Sequence, residues 1–299
     1  MSDATLSLAD DGATSRRLSF YLVLTPFLLW MFVIILLPHF NLLILSFHDS
    51  ASQHSNRFSL ANYLEFFGER VYLVTLVRTI TISIFSTALT LLISWPIAYY
   101  IAKLARGRSK KSLYLACLLP FWVGELVRVF GWMIILRETG LLSRVLQYVG
   151  LISGPVEFLY NDAAMIVGLV YTSMLFMIVP LTSVLESLDD SLVEAGYDLG
   201  GNGFDVMRKI VIPHAMPGIV AGCIIVFMLN LGNYLTPTLM GGKSSQWFTE
   251  QIYTQFITRF NWELGSAFGF VLLLSSSVIV WIGLKVTGQS LSSSLARGQ

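Results

Sequence analysis

Charged residues are scarce in this 299-residue chain: Asp, Glu, Lys and Arg together make up 12 % of it. Soluble domains carry about 25 % charged residues. Hydrophobic residues make up 55 % of the chain, and its mean hydropathy is +0.70. The composition therefore excludes an ordinary water-soluble domain and indicates a chain whose solvent is largely lipid. The net charge of +1 also argues against a basic surface for nucleic acid.

Residues that hold metals or perform catalysis are equally few. The two cysteines, Cys117 and Cys223, lie inside apolar runs, which is typical of small buried hydrophobic residues rather than a disulfide or metal pair. The four histidines form no H-E-x-x-H motif, and the chain has no G-x-S-x-G motif. It also lacks a glycine-rich phosphate loop ending in Lys-Ser/Thr. These absences disfavour an intramembrane enzyme, and the sequence predicts no cofactor in this chain.

Long apolar runs are what the chain does contain. A membrane-spanning helix needs roughly 20 apolar residues. Six runs qualify, and they predict an all-α polytopic membrane protein with a transmembrane domain at residues 20–286. The first run is longer than the apolar core of a signal peptide, so we expect it to be retained. The six runs are Phe20–Phe47, Tyr72–Ala102, Ser112–Leu136, Ala163–Leu185, Pro217–Leu239 and Trp262–Val286.

The distribution of basic residues predicts the orientation of these spans. The short loop between the second and third runs carries Lys103, Arg106, Arg108, Lys110 and Lys111 and no acidic residue. Short basic loops usually face the cytoplasm. Six spans then place both tails, residues 1–19 and 287–299, and the segment 186–216 in the cytoplasm. On the other side we expect short surface helices at Leu60–Phe67, Leu141–Val149 and Trp247–Phe260.

The segment 186–216 contains signals for two short helices. Ser191 and Glu194 have the spacing of a capping box at the start of a helix over Leu192–Leu199. Glycines follow from Gly200 onward, and glycine suits the sharp reversal at a helix end. Asn202 can then cap a second helix over Phe204–Ile210. The predicted structure is a helix, a glycine turn and a second helix.

Two features of the second helix leave alternatives open. Pro213 and Pro217 are expected to interrupt the chain before the fifth span. Val206, Met207 and Ile210 form one apolar stripe. Such a stripe outside the membrane either fits the groove of a partner protein or packs against the chain's own helix ends.

The same segment resembles the loop shared by the integral membrane subunits of ABC importers. The family pattern is Glu-Ala-Ala, three residues, Gly, nine residues and Ile-x-Leu-Pro. This chain has Glu194-Ala195-Gly196, then Gly200, then Ile210-Val211-Ile212-Pro213 with the spacing kept. Gly196 stands in place of the second Ala and Ile212 in place of Leu. Both departures are mild, because each residue keeps the size or shape class of the one it replaces.

The resemblance implies a type I ABC importer permease fold in the bacterial inner membrane, with residues 186–216 as its coupling loop. Two copies of an ATPase, which would bind ATP and Mg²⁺, are the implied partners, together with a second related permease and an external binding protein. Closure of the ATPase pair would move the loop and the loop would move the spans. The residues implied in ATPase coupling are Glu194, Ala195, Gly196, Asp198, Gly200, Val206, Met207, Ile210 and Pro213.

Two further stretches are similar to spermidine/putrescine permeases. They are Leu119-Pro120-Phe121-Trp122 followed by Leu126-Val127-Arg128, and Leu239-Met240-Gly241-Gly242. The similarity departs at Glu125 and along residues 243–260. It implies inward transport of a small amine such as a polyamine, with an opine or an amino acid as alternatives. An ion-coupled secondary transporter is the rival class, but the chain shows neither repeated halves nor a series of buried acids.

Polar residues inside the predicted spans are candidates for the substrate path, because charges in a membrane usually face protein or water. Glu125 and Arg128 share a helix face, so they either pair with each other or leave Glu125 to meet a cationic substrate. Trp122 is either an interfacial belt residue or a cation–π contact. Asn230, Asn233 and Tyr234 either bond across helices or line a gate. Tyr171 is a weaker candidate.

Overall fold

The computed structural model describes residues 21–22, 24–48, 58–242 and 245–288. Regular structure in these ranges is helical, apart from one antiparallel bridge between His48 and Phe58. This confirms the predicted all-α class. The tail at 1–19 and residues 289–299 of the other tail lie outside the described residues. The helices are α1 (Leu24–Ser46), α2 (Ala61–Gly68), α3 (Arg70–Leu104), α4 (Gly107–Leu118), α5 (Glu125–Leu136), α6 (Leu141–Tyr148), α7 (Asp162–Glu186), α8 (Asp190–Asp198), α9 (Gly203–Gly232), α10 (Leu235–Met240), α11 (Phe248–Tyr253) and α12 (Trp262–Val286).

Five of these helices are long and apolar enough to cross a membrane: α1, α3, α7, α9 and α12. The third predicted span is present only as a bent pair, in which residues Gly107–Trp122 and Glu125–Tyr148 meet at 95°. A continuous helix over Ser112–Leu136 is therefore a wrong prediction. The physical reason is local: Pro120 lacks an N–H, and Gly124 takes an extended conformation with ψ 147° just before α5 begins.

The fifth span also differs from its prediction. It begins at Gly203 rather than Pro217 and ends at Gly232, so Pro213 and Pro217 do not interrupt the chain. A π-helical turn at Met207–Val211 ends two residues before Pro213. Such a wide turn lets a helix carry a residue that has no N–H to donate. The segment after Asn202 is thereby joined to the fifth span as one helix.

The smaller of two compact units comprises residues 1–68 and 255–270. The Asn62 side chain donates to the carbonyl oxygens of Ser46 at 3.0 Å and His48 at 2.7 Å, which fixes α2 beside the end of α1. The rings of Phe66 and Phe268 meet edge to face at 5.2 Å. The most apolar stretch of α1 has no buried residue, which suits a helix surrounded by lipid or by another subunit.

The larger unit comprises residues 69–254 and 271–299, and α7 packs against both α3 and α9 within it. Small residues permit these close approaches, as they do in many membrane proteins. A Cβ added to Gly218 of α9 would lie 2.9 Å from the carbonyl oxygen of Pro180 on α7. The buried face of α3 is lined by hydroxyl side chains, namely Thr75, Thr79, Ser83, Ser86, Thr87, Thr90 and Ser94.

Hydrogen bonds close the Asp162 end of this unit. Arg78 of α3 pairs with Asp162 at 2.6 Å, and the Ser245 hydroxyl also donates to Asp162. The Thr79 hydroxyl accepts the backbone N–H of Phe248 at 2.9 Å, which holds the start of α11.

The predicted short helices are confirmed here as α6 and as α11 with its π-helical extension Thr254–Thr258.

Candidate functional site

The segment after α7 has the predicted helix, glycine turn and second helix, and the second helix is the start of α9. Its first helix, α8, is capped by Asp189 rather than by Ser191, so the predicted capping box is wrong. The Asp189 carboxylate accepts the backbone N–H of Ser191 at 3.0 Å. This hydrogen bond stabilises the charged carboxylate and lowers the pKa of Asp189 below its usual value. We call residues 189–213 the docking segment.

Glycine is required at the reversal that follows α8. Gly200 has φ +82°, a conformation that residues with a Cβ rarely adopt. The next N–H, that of Gly201, donates back to the Gly196 carbonyl oxygen at 3.1 Å. Asn202 then caps α9, because its side-chain oxygen accepts the N–H of Asp205 at 2.9 Å. Both the glycine turn and the Asn202 cap are confirmed predictions.

The inner face of the docking segment packs on the protein's own core. Val206 is 3 % exposed and lies in a cluster with Leu185 and Leu188, against which Met207 and Ile210 also pack. A partner groove for this stripe is therefore the wrong alternative. Gly196 fits the same contact, since a Cβ there would lie 2.7 Å from Ile210 Cδ1. Val206, Met207, Ile210 and Gly196 therefore pack the docking segment against the rest of the protein.

The outer face carries most of the other predicted coupling residues. Glu194, Ala195, Asp198, Gly200 and Pro213 are all exposed. Within the described residues, the Glu194 side chain has no hydrogen bond or ion pair, so the fold does not need its charge. The structure adds exposed apolar residues that sequence reasoning missed: Leu192, Tyr197, Leu199 (89 % exposed) and Phe204 (72 % exposed).

Basic residues at the end of α3 and in α4 hold the docking segment and the end of α7 in place. Lys103 donates to the carbonyl oxygen of Leu188 and pairs with Asp190 at 2.7 Å. Lys110 pairs with Glu186 at 2.9 Å. The sequence indicated these lysines only as orientation signals, because pairing between residues so distant in the chain leaves no local pattern.

Loss of the Lys103 ammonium group is expected to destabilise the folded permease more than loss of the Asp190 carboxylate. Lys103→Met strands the Leu188 carbonyl and should lower the free energy of unfolding by about 1–3 kcal/mol. Asp190→Asn removes a charge whose side chain is 76 % exposed and should cost less than about 1 kcal/mol. Thermal unfolding of the purified variants measures both, and equal effects would contradict the anchoring role of Lys103.

A cavity of about 500 Å³ lies among α5, α7, α9 and α10. Most of the predicted path residues line it: Glu125, Arg128, Asn230, Asn233 and Tyr234. Trp122 and Tyr171 do not. Trp122 is 80 % exposed, and Tyr171 lines a neighbouring recess where its ring meets Trp132 edge to face at 5.6 Å.

The two charges in the cavity have separate partners. The Asn233 amide donates to Glu125 Oε1 at 2.7 Å, and Arg128 Nη1 donates to the Thr172 carbonyl oxygen at 3.5 Å. Among the residues that the structure describes, no contact within 4.0 Å joins Glu125 to Arg128, so the predicted ion pair is wrong. Glu125 stands in the first turn after the break and reaches the end of α9, whereas Arg128 reaches α7.

Comparison with known proteins identifies the family. Residues 12–286 match the family described as binding-protein-dependent transport system inner membrane component. The chain belongs to this family. It is therefore the multi-pass, inner-membrane permease component of an ABC importer, whose ATPase is a separate subunit. Membership excludes the ion-coupled alternative.

Relatives of this permease with curated names are moderately similar in sequence. It is 31 % identical over 255 residues to the spermidine/putrescine transport system permease protein PotB of Haemophilus influenzae, covering 85 % of this chain and 88 % of that protein. It is 31 % identical to PotB of Escherichia coli K12, covering 85 % and 92 %. The inner membrane ABC transporter permease protein YdcU of Escherichia coli is 30 % identical, covering 77 % and 76 %.

Solved structures confirm the fold of the permease. A chain of the bacterial alginate ABC transporter, in complex with a periplasmic protein bound to an alginate pentasaccharide, matches with a TM-score of 0.77 at 16 % identity. That match covers 94 % of this chain and 99 % of the other. A chain of the inward-facing MetNI methionine ABC transporter matches with a TM-score of 0.54 at 17 % identity, covering 72 % and 94 %.

Proposed function

We propose that this permease imports a small amine, driven by a separate ATPase that binds the outer face of the docking segment. The observation that carries the proposal is the contrast between the two faces of that segment. Val206, Met207 and Ile210 tie it to the core, while Leu199, Phe204 and the unpaired Glu194 face outward. Exposed apolar residues beside a charge are typical of a protein–protein interface.

The continuity of α9 supplies a mechanical link from ATPase to substrate. This helix runs from Gly203, within the docking segment, to Gly232, at the cavity. At 1.5 Å per residue it forms a rod of about 45 Å. A displacement of the docking segment by the ATPase pair would pass along α9 to Asn230 and Asn233. Lys103 and Lys110 would pass the same displacement to α3 and α4.

The proposed assembly contains two ATPase copies, which bind ATP and Mg²⁺, a second related permease and an external binding protein. The docking segment and both chain termini face the cytoplasm, as the basic loop containing Lys103 and Lys110 favours. The unburied apolar surface of α1 leaves room for a second permease beside lipid. The binding protein delivers substrate from the other side of the membrane.

Two observations support an amine as the substrate: the names of the PotB relatives and the position of the Glu125 side chain. Both PotB proteins are named spermidine/putrescine permeases, which makes a polyamine the first substrate to test. The Glu125 carboxylate lines the cavity and can attract an ammonium group. Uptake by reconstituted transporter with the binding protein tests the proposal. Uptake of labelled amines that persists without ATP but needs an ion gradient would refute it.

Removal of the cavity carboxylate is expected to weaken amine transport. Glu125→Gln keeps a hydrogen-bond acceptor for Asn233 but loses the attraction to an ammonium group, so amine uptake should fall about tenfold. The control is Glu157→Gln, which removes a carboxylate from an exposed loop residue. Unchanged uptake by Glu125→Gln, together with a lower unfolding temperature, would assign Glu125 a purely structural role.

A further inference from the structure

The cavity presents two opposite charges that do not neutralise each other. Among the described residues that line it, Glu125 and Arg128 are the charged ones. They lie three residues apart on α5 and do not pair with each other. A ligand in this cavity would therefore face an anionic and a cationic group at the same time.

Two N–H groups of residues that line the cavity lack a hydrogen-bond acceptor. Arg128 Nε and Asn230 Nδ2 are both buried, and neither has a hydrogen-bond acceptor within the part of the chain that the structure describes. Asn230 is 1 % exposed, so water does not satisfy its amide from the bulk. Buried N–H groups are costly to leave without an acceptor. A ligand that brings a carboxylate would satisfy both.

The Glu125 carboxylate supplies the complementary acceptor. Asn233 donates to its Oε1 at 2.7 Å. A carboxylate has two oxygens and can accept several donors, so this bond leaves capacity for an ammonium group. The cavity thus offers one acceptor for an amine beside two donor groups for an anion.

We propose that the cavity selects a small amine that also carries a carboxylate. Its ammonium group would bind Glu125, and its carboxylate would bind Arg128 and Asn230. This inference rests on the proposed import of an amine through the cavity and narrows the substrate class. A linear polyamine carries donors and positive charge only, so it leaves Arg128 and Asn230 without an acceptor and places like charges together. A zwitterion matches both charges of the cavity.

Putrescine and 4-aminobutyrate make a matched pair of probes, because they differ in one terminal group, an amine in the first and a carboxylate in the second. The experiment uses the assembled transporter without its binding protein, so that the permease cavity alone is tested. Ligand binding is measured by the rise in unfolding temperature with ligand concentration. We expect 4-aminobutyrate to bind at least about tenfold more tightly than putrescine.

Variants of the cavity assign the carboxylate contact. Arg128→Gln should weaken 4-aminobutyrate binding about tenfold and leave putrescine binding unchanged or stronger. Arg137→Gln removes an exposed arginine at the end of the same helix and should change neither. If Arg128→Gln fails to assemble, Asn230→Leu provides the same comparison with the arginine intact.

Three results would overturn the inference: tighter binding of putrescine, absence of 4-aminobutyrate binding, or 4-aminobutyrate binding that survives both Arg128→Gln and Asn230→Leu. ATP-driven uptake of putrescine that exceeds the uptake of 4-aminobutyrate would overturn it while supporting amine import. Uptake that does not depend on ATP would instead refute the proposed function, whichever probe binds.

Discussion

Glu194→Lys is expected to abolish ATP-driven uptake while leaving the permease folded in the membrane. The Glu194 side chain is exposed and makes no hydrogen bond or ion pair within the described residues, so the fold tolerates its replacement. A reversed charge on the docking face would place like charges against the ATPase. We expect uptake to fall at least tenfold, roughly the effect of losing one buried charge contact. Uptake and ATP hydrolysis are measured on the same reconstituted complex.

Two control variants separate docking from a general effect of charge. Glu138→Lys makes the same change at an exposed residue just after α5, toward the Asp162 end of α7, and should retain normal coupling. Glu194→Gln removes the charge without reversing it and should lie between Glu194→Lys and the unmodified protein. Normal uptake by Glu194→Lys at equal membrane content would contradict the docking role.

Gly200→Leu is expected to block coupling by filling space that belongs to a partner. Among the described residues, a Cβ on Gly200 meets no atom within 4 Å, so a leucine side chain there would begin in open space. The positive φ of +82° adds a strain of about 1–2 kcal/mol. We expect uptake to fall at least about tenfold, because the added side chain holds the ATPase away from a desolvated interface.

Gly150→Leu is the matched control for that strain. Gly150 follows α6 with φ +79°, and a Cβ there also meets no atom of the described residues within 4 Å. Both variants should therefore lose similar thermal stability, but only Gly200→Leu should lose coupling of ATP hydrolysis to uptake. Equal loss of coupling in the two variants would show that backbone strain, and not a blocked interface, causes the defect.

Local signals in the sequence predicted the structure well where the structure depends on local chemistry. The apolar run Trp262–Val286 is α12 with the same bounds. The positive φ of Gly200 and the cap by Asn202 follow from properties of those side chains alone. The family pattern Glu194 to Pro213 also located the docking segment and predicted the family.

Hydropathy and helical spacing did not predict the break in the third span or the partners of the charged side chains. Hydropathy alone does not show that Pro120 and Gly124 break the third span, since both residues occur in apolar helices. Spacing on a helix suggested that Glu125 pairs with Arg128, but the bend before α5 gives the two side chains different partners. Lys103 meets Asp190 only because α3 and α7 pack side by side.

Site-specific cross-linking from Leu199 tests the docking claim most directly. Leu199 is 89 % exposed at the tip of the docking segment, and Leu151, 70 % exposed after α6, serves as the control. Each is changed to cysteine in a chain with Cys117→Ala and Cys223→Ala, and the assembled transporter is treated with a short bifunctional thiol reagent. We expect a Leu199→Cys cross-link to the ATPase subunit and none from Leu151→Cys. Absence of an ATPase cross-link at Leu199→Cys, in a complex that still hydrolyses ATP during uptake, would contradict it.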